Sequence, residues 1–272
     1  MKKILCLLMA TLLVGLTFAG CSSKEKGLTI KEGTLTVGME VGYPPMEYVD
    51  EDGVTYIGFD VEMAQKMADL MGLELEIVNT AWDGIFAALE KGEFDMIMSS
   101  VSITPERQEK YILTEPYISN KIVLAVNNDN TAITKLEDLN GKKVAVQTAT
   151  TSDQFAEKTI TDGIADFEIL RYEKITQCYD ELKLNRVDAI LVDEVVAVGY
   201  RDVSKVVWRN TEGEPMGICL QKDNTELAEI VEKAVDTLYY DGTVATIATK
   251  YFGSNVTEGV RVVTEKPVIE MP

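Results

Sequence analysis

The chain has 272 residues, with 45 acidic against 26 basic side chains, a formal charge of −19, and 46% hydrophobic residues. So negative a surface repels phosphate backbones and anionic lipid, which argues against a nucleic-acid partner and against electrostatic adhesion to a membrane. There is no histidine, so a Ser-His-Asp or Cys-His site is impossible and a zinc site would have to use cysteines and carboxylates; no metal site or cofactor is assigned.

The first 20 residues read as an export signal. Lys2 and Lys3 form a positive start, Ile4 to Val14 an apolar run, and small residues lead to Gly20-Cys21. The run is short of the roughly 20 apolar residues that a spanning helix needs. Cysteine directly after Phe18-Ala19-Gly20 reads as a lipoprotein cleavage site that leaves lipid on Cys21. A plain secretory signal and an uncleaved anchor are the alternatives. The polar run from Ser22 to Gly27 reads as a tether. Beyond Cys21 only Cys178 and Cys219 remain. They suit either a disulfide or two small buried apolar groups.

Thr34 to Gly38 alternates like a strand and opens the turn Glu40-Val-Gly-Tyr-Pro-Pro45. Val61, Ala64, Met67, Ala68 and Met71 recur at helical spacing, with Gly72 placed to cap the helix. Leu73 to Val78 predicts a strand, Trp82 to Leu89 a helix, and the apolar Phe94 to Met98 a strand buried on both faces. Alternation at this spacing predicts an open α/β sheet. The pattern then repeats: strand to Gln147, helix from Ser152, strand Phe167 to Leu170, helix Ile175 to Leu184, buried strand Val187 to Val192. Phe94-Asp95 and Val187-Asp188 share one grammar, a helix end, a turn, an aspartate and a buried strand, so two similar lobes are expected. Asp223 to Tyr239 predicts a long helix, broken at Asp241-Gly242 and followed by another to Phe252. This pair departs from the second repeat and is expected to return to the first lobe. An irregular tail follows Ser254.

In open α/β sheets ligands bind beyond the carboxyl ends of the strands. One such end leads into Ser99-Ser100-Val101-Ser102-Ile103-Thr104-Pro105-Glu106-Arg107. Thr104 suits an N-cap and Pro105 the first helical position, which puts Arg107 in the first turn. Its guanidinium is either a fork for a carboxylate or a solvated surface group. The matching end in the second repeat reads Gln147-Thr-Ala-Thr150-Thr151-Ser152. It offers helix-start amides and hydroxyls to an anion, or ordinary capping by Thr151 or Ser152. Asp193, after the strand ending at Val192, could hold an ammonium or cap a turn. Together these groups suit a zwitterion held between two lobes. Trp82 also follows a strand end and reads as core or as a lid over an aliphatic chain.

From about Gly33 to Gly253 the sequence resembles the polar amino-acid solute-binding proteins of ABC importers. The resemblance is carried by Gly38-Met-Glu40-Val-Gly-Tyr43-Pro-Pro-Met-Glu47, Gly58-Phe-Asp60, Trp82-Asp-Gly84, Phe94-Asp95, the serine-rich run to Arg107, Asp193-Glu194 and Asp241-Gly242-Thr243. It implies the two-lobed type II periplasmic-binding-protein fold. Each lobe is then an open, mainly parallel sheet flanked by helices, and two crossing strands form a hinge that closes on the ligand. The implied division is residues 1–20 signal, 21–32 lipidated tether, 33–119 with 216–254 lobe one, 120–215 lobe two, and 255–272 tail. By position, Arg107 takes the α-carboxylate with Ser102 and the Thr150-Thr151 backbone. Asp193 takes the α-amino group, with Ser100 as second acceptor. Tyr43 and Trp82 line the side-chain pocket, and Glu40 stands where members that bind cationic amino acids often carry an acid. The chain has Ala149 where the family usually has glycine, and Met46 where phenylalanine is more usual. The implied protein is a non-catalytic, monomeric, lipid-anchored extracytoplasmic component. It delivers a polar, by preference cationic, amino acid to membrane permease subunits. The other readings are a dehydratase-like enzyme, with Glu40 or Glu194 as acid, and a ligand-sensing module.

Overall fold

The computed structural model describes residues 27–272. The export signal, Cys21 and the first half of the tether lie outside the described residues. Elements follow one another as β1 (Thr34–Met39), β2 (Tyr48–Val49), β3 (Tyr56–Ile57), α1 (Phe59–Met71), β4 (Glu74–Asn79), α2 (Trp82–Glu90), β5 (Met96–Ile97), α3 (Pro105–Lys110) and β6 (Tyr111–Leu113). The chain continues through β7 (Ile122–Asn127), β8 (Lys143–Gln147), α4 (Thr151–Thr161), β9 (Glu168–Tyr172), α5 (Ile175–Lys183), β10 (Ala189–Asp193), α6 (Glu194–Ala197) and β11 (Ser204–Arg209). It ends with β12 (Cys219–Gln221), α7 (Thr225–Tyr240) and α8 (Thr243–Phe252).

Two five-stranded sheets result. One has the order β4-β1-β5-β12-β6, with β1, β4 and β5 parallel and β12 running against them. The other has the order β11-β7-β10-β8-β9, with β8, β9 and β10 parallel and β7 reversed. The expected strand from Phe94 to Met98 pairs only at Met96 and Ile97, although the whole stretch is buried. The shared grammar of the two repeats has a physical cause. Asp95 accepts hydrogen bonds from the Thr36 amide (2.8 Å) and hydroxyl (2.5 Å), and Asp188 accepts from the Lys143 amide (2.8 Å). Each carboxylate thus locks the start of one strand to its neighbour. Gly38 has no side chain because the Phe94 ring lies 2.4 Å from where a Cβ would stand.

The chain passes between the sheets twice, and the two passages run antiparallel. Tyr117 donates its amide to the Met216 carbonyl (2.9 Å), Met216 to Ile118 (3.0 Å), and Glu214 to Asn120 (2.8 Å). The closing helices α7 and α8 return to the first sheet and pack on α1, as the break in the repeat predicts. Helix α7 buries Leu227, Ile230, Val231, Ala234, Val235 and Leu238. Each of its larger side chains is worth about 1.5–3 kcal/mol when removed from water. Cys178 on α5 and Cys219 on β12 are buried free thiols in different core clusters, which resolves their pairing in favour of two small core groups.

Arg261 braces the tail, in which Val256 and Ile269 also pack against the core. Arg261, its side chain 7% exposed, reaches Asp236 and Glu232 on α7 at 2.6 Å each. It also donates to the Pro116 carbonyl (3.0 Å) and to that of Glu115, at the start of the first passage. Both carboxylates are partly exposed, so Arg261→Ala is expected to cost about 2 kcal/mol. For a chain of this size that lowers the melting temperature by roughly 4–8 °C. An unchanged melting curve would show that the tail is not braced there.

Candidate functional site

The carboxyl ends of β1, β5, β8 and β10 converge between the sheets, and the turns that leave them enclose a cavity of about 300 Å³. Its first wall consists of Glu40, Tyr43, Glu47, Trp82, Ser99, Ser100 and Ser102, and its second of Gln147, Thr150, Thr151 and Asp193. Eight of the nine residues singled out by sequence are therefore brought together. Arg107 is set apart. It borders an adjoining, more open cleft with Phe86, Lys110, Tyr111 and Gln154, and Thr151 faces both spaces.

Two backbone positions shape the walls. Ser100, after β5, and Ala149, after β8, both take the left-handed conformation, with φ of 52° and 62°. Side chains are strained there, and such strain persists where the surroundings hold it. Ser100 is held by its amide, which donates to Asp60 Oδ2 at 2.9 Å. Ala149 donates to Asp153 (3.2 Å), and its carbonyl accepts the Trp82 indole N–H (3.0 Å). The left-handed turn is what glycine would adopt freely, which accounts for the family preference at this position. Helix α4 then starts with Thr150 as its cap, accepting from the Asp153 amide at 3.2 Å. The cap is not Thr151 or Ser152, because the tight turn at Ala149 ends one residue earlier. Thr151 is freed to face the cavity.

The walls are joined directly. Tyr43 donates its hydroxyl to Asp193 Oδ2 (2.5 Å), Trp82 bonds Ala149, and Gln147 donates to Glu40 Oε2 (2.9 Å). The Ser102 and Thr151 hydroxyls stand 3.4 Å apart. Asp193 also accepts from Asn120 at 2.8 Å, and Asn120 sits on the first passage between sheets. Arg107 gives one N–H to the Ser102 carbonyl (2.8 Å) and lies between the Trp82 and Phe86 rings, 5.4 and 5.0 Å from their centroids. Its remaining donors have no protein partner among the described residues, an arrangement suited to a planar carboxylate.

The buried acids are the electrostatic signature of the site. Burial pushes the Asp193 carboxyl above the usual range, the nearby Glu214 adds to this, and the Tyr43 and Asn120 donors oppose it. Burial likewise raises Glu40, to about 7, against the pull of its Gln147 hydrogen bond and the charge of Lys174. Beneath the floor Glu47 and Asp60 are both fully buried, with Glu47 Oε2 and Asp60 Oδ1 left without a partner among the described residues. Burial, and then the charge of the neighbouring Asp60, drive the Glu47 carboxyl upward. Ser99 links this pair to the cavity, donating to Glu47 Oε1 (2.5 Å) while accepting the Glu40 amide (3.0 Å). Sequence reasoning did not single out Gln147, Ser99 or Glu47 as site residues. Gln147 stood at a strand end and Glu47 beside Tyr43, but nothing local shows that either side chain faces the cavity.

The chain belongs to the bacterial extracellular solute-binding proteins, family 3, whose family model matches residues 35–254. It is 34% identical to the L-cystine-binding protein TcyJ of Escherichia coli over 92% of this chain and 96% of that one. It is 28% identical to the ABC transporter arginine-binding protein 1 of Escherichia coli, over 93% and 99% of the two chains. The crystal structure of the ancestral amino acid-binding protein AncCDT-1, a precursor of cyclohexadienyl dehydratase, superposes with a TM-score of 0.76. It is 36% identical, and the match covers 81% of this chain and 96% of that one. These likenesses bear out the type II fold. Among the described residues no helix is long and apolar enough to cross a membrane.

A carboxyl raised in the folded chain keeps a proton that the unfolded chain has released, so the stability it contributes is lost as pH rises from one pKa to the other. For Glu40 that window runs from about 4.5 to about 7. Melting temperatures measured between about pH 5 and about pH 8 without ligand should therefore fall less steeply in Glu40→Gln than in the parent. Parallel profiles would show that Glu40 is not a source of the pH dependence.

Proposed function

We propose that the protein is the extracytoplasmic substrate-binding component of an amino-acid ABC transporter. It captures a free polar L-α-amino acid by closure of two lobes and delivers it to permease subunits. The observation that carries this reading is an opposed pair of charged groups in two adjoining spaces that meet at Thr151. Arg107 has free donors on one side, and Asp193 is a buried carboxylate on the other. A zwitterionic α-amino acid meets both: its carboxylate lies between Arg107, the Ser102 and Thr151 hydroxyls and the start of α4, and its ammonium between Asp193 and Ser100. Tyr43 and Trp82 flank the side chain, and Glu40 favours one that ends in N–H donors. The arginine- and cystine-binding relatives support a ligand that carries nitrogen at its far end. No residue is assigned a catalytic role. The proposed division is residues 33–119 with 216–254 as lobe one and 120–215 as lobe two. The proposed setting is a monomer tethered by lipid on Cys21 after removal of residues 1–20.

A dehydratase-like enzyme is the second reading, favoured by one observation: Glu40 is a cavity carboxyl held near neutral pH, as a general acid would be. The two readings part in one experiment. Thermal unfolding of refolded protein is measured against the common amino acids, ornithine, cystine and prephenate. A ligand at about a hundred times its dissociation constant adds roughly 2.7 kcal/mol. The binding reading expects a shift with a subset of polar amino acids, and a shift with prephenate alone would replace it by the enzyme. Arg107→Ala should weaken that amino acid by roughly 3–5 kcal/mol in calorimetry, because the ligand carboxylate would be enclosed without its partner. An unchanged affinity would remove Arg107 from the site.

A further inference from the structure

The far end of the cavity, beyond Tyr43 and Trp82, holds more than one kind of charge. Glu40 and Gln147 are each only 3% exposed. The Gln147 amide spends both its N–H donors on the protein, one on Glu40 Oε2 (2.9 Å) and one on the Glu173 carbonyl (3.0 Å). That fixes its carbonyl oxygen outward from the pair. Glu40 Oε1 and Gln147 Oε1 are left buried, with no donor from the protein. Two desolvated acceptors at one end of a ligand cavity call for a ligand group with several N–H donors.

A cation stands beside them. Lys174 comes from the second sheet's side of the cleft, at the start of α5, and leans across to the turn after β1. The point where a Cβ of Gly42 would stand is 3.9 Å from Glu40 Oε1 and 4.0 Å from Lys174 Nζ. The bare Cα of Gly42, at φ 148°, thus leaves a slot flanked by an anion on one side and a cation on the other. The charge of Lys174 acts on Glu40, but Lys174 forms no ion pair among the described residues. Asp83 also acts on Glu40 from the start of α2, so two acids and one lysine face this end. A guanidinium or a lone ammonium would satisfy Glu40 and Gln147 but bring like charge towards Lys174. An ammonium next to a carboxylate would satisfy all three.

We propose that Glu40, Gln147 and Lys174 form an amphoteric subsite for a second amino-acid head group, so that the preferred ligand is a diamino dicarboxylic acid with a zwitterion at each end. The far ammonium lies on Glu40 Oε1 and Gln147 Oε1, and the far carboxylate on Lys174, where the first amides of α5 add to its preference for an anion. This rests on the amino-acid-binding reading, since Arg107 and Asp193 must hold the near head group.

Calorimetry with L-cystine, diaminopimelate, L-arginine and L-lysine tests it, on the parent protein and on Lys174→Met and Lys174→Glu. Both substitutions are at an exposed side chain, and circular dichroism confirms the fold. The parent should bind cystine or diaminopimelate at least tenfold more tightly than arginine or lysine. Lys174→Met should lose at least tenfold towards the double zwitterions and nothing towards arginine, and Lys174→Glu should invert the order. Equal losses for both ligand classes, or a parent that binds arginine but neither double zwitterion, would overturn the subsite and leave the amino-acid reading standing. A parent that binds no amino acid would overturn both.

Discussion

The carboxylate of Asp193 is the point on which the two halves of the molecule agree. It stands at the end of β10 in the second sheet, takes a hydroxyl from Tyr43 in the first, and takes an amide from Asn120 on a passage between them. A buried carboxylate is costly unless its lone pairs are filled by donors. Here the donors, Tyr43 and Asn120, come from two parts of the chain that are distant in sequence from each other and from Asp193. The Tyr43–Asp193 contact joins the two walls of the cavity, so under the proposed closure the relative position of the lobes and the setting of this carboxyl are coupled. Asn120 also donates to Glu214 on the other passage (3.0 Å), which brings both passages into the same network.

A second network carries the same logic beneath the cavity floor. Asp60 holds Ser100 in its left-handed turn and also accepts the hydroxyl of Tyr117, on the first passage, at 2.9 Å. The Tyr117 carbonyl accepts from Tyr239 on α7 (2.8 Å), and the Arg261 guanidinium lies 5.8 Å over the Tyr239 ring. From Ser100 at the ligand position to the tail at Arg261, the contacts are continuous and pass through the hinge. The tail lies beyond residue 254, where the family model ends.

Much of this was legible because its signals are local. Helical spacing of methionines and alanines, glycine caps and apolar strands marked most elements within a residue or two. The rule that ligands sit at strand ends picked out Ser100 to Arg107, Thr150-Thr151 and Asp193. What escaped was set by distance in sequence. β12 is three residues long and takes its place only by pairing with β5 and β6 more than a hundred residues earlier. Gln147 and Glu40 are 107 positions apart, and neither alone indicates a shared hydrogen bond. Lys174 read as an ordinary charged residue before a helix, because its approach to Gly42 spans more than a hundred positions of sequence. Arg107 was placed correctly on its helix, yet its side chain lies in the neighbouring cleft, held by Trp82 and Phe86. That packing preference has no local sequence signal.

If closure around an amino acid is the central event, the separation of the lobes must depend on ligand. The most direct measurement places one spin label on the exposed face of α2 and another on α4, and follows their distance as amino acid is added. The account predicts a broad or long distance in stripped protein that collapses to a single shorter one, saturating with the ligand that stabilises the fold. A distance that stays the same while that ligand binds would contradict it, because binding would then need no movement of the lobes.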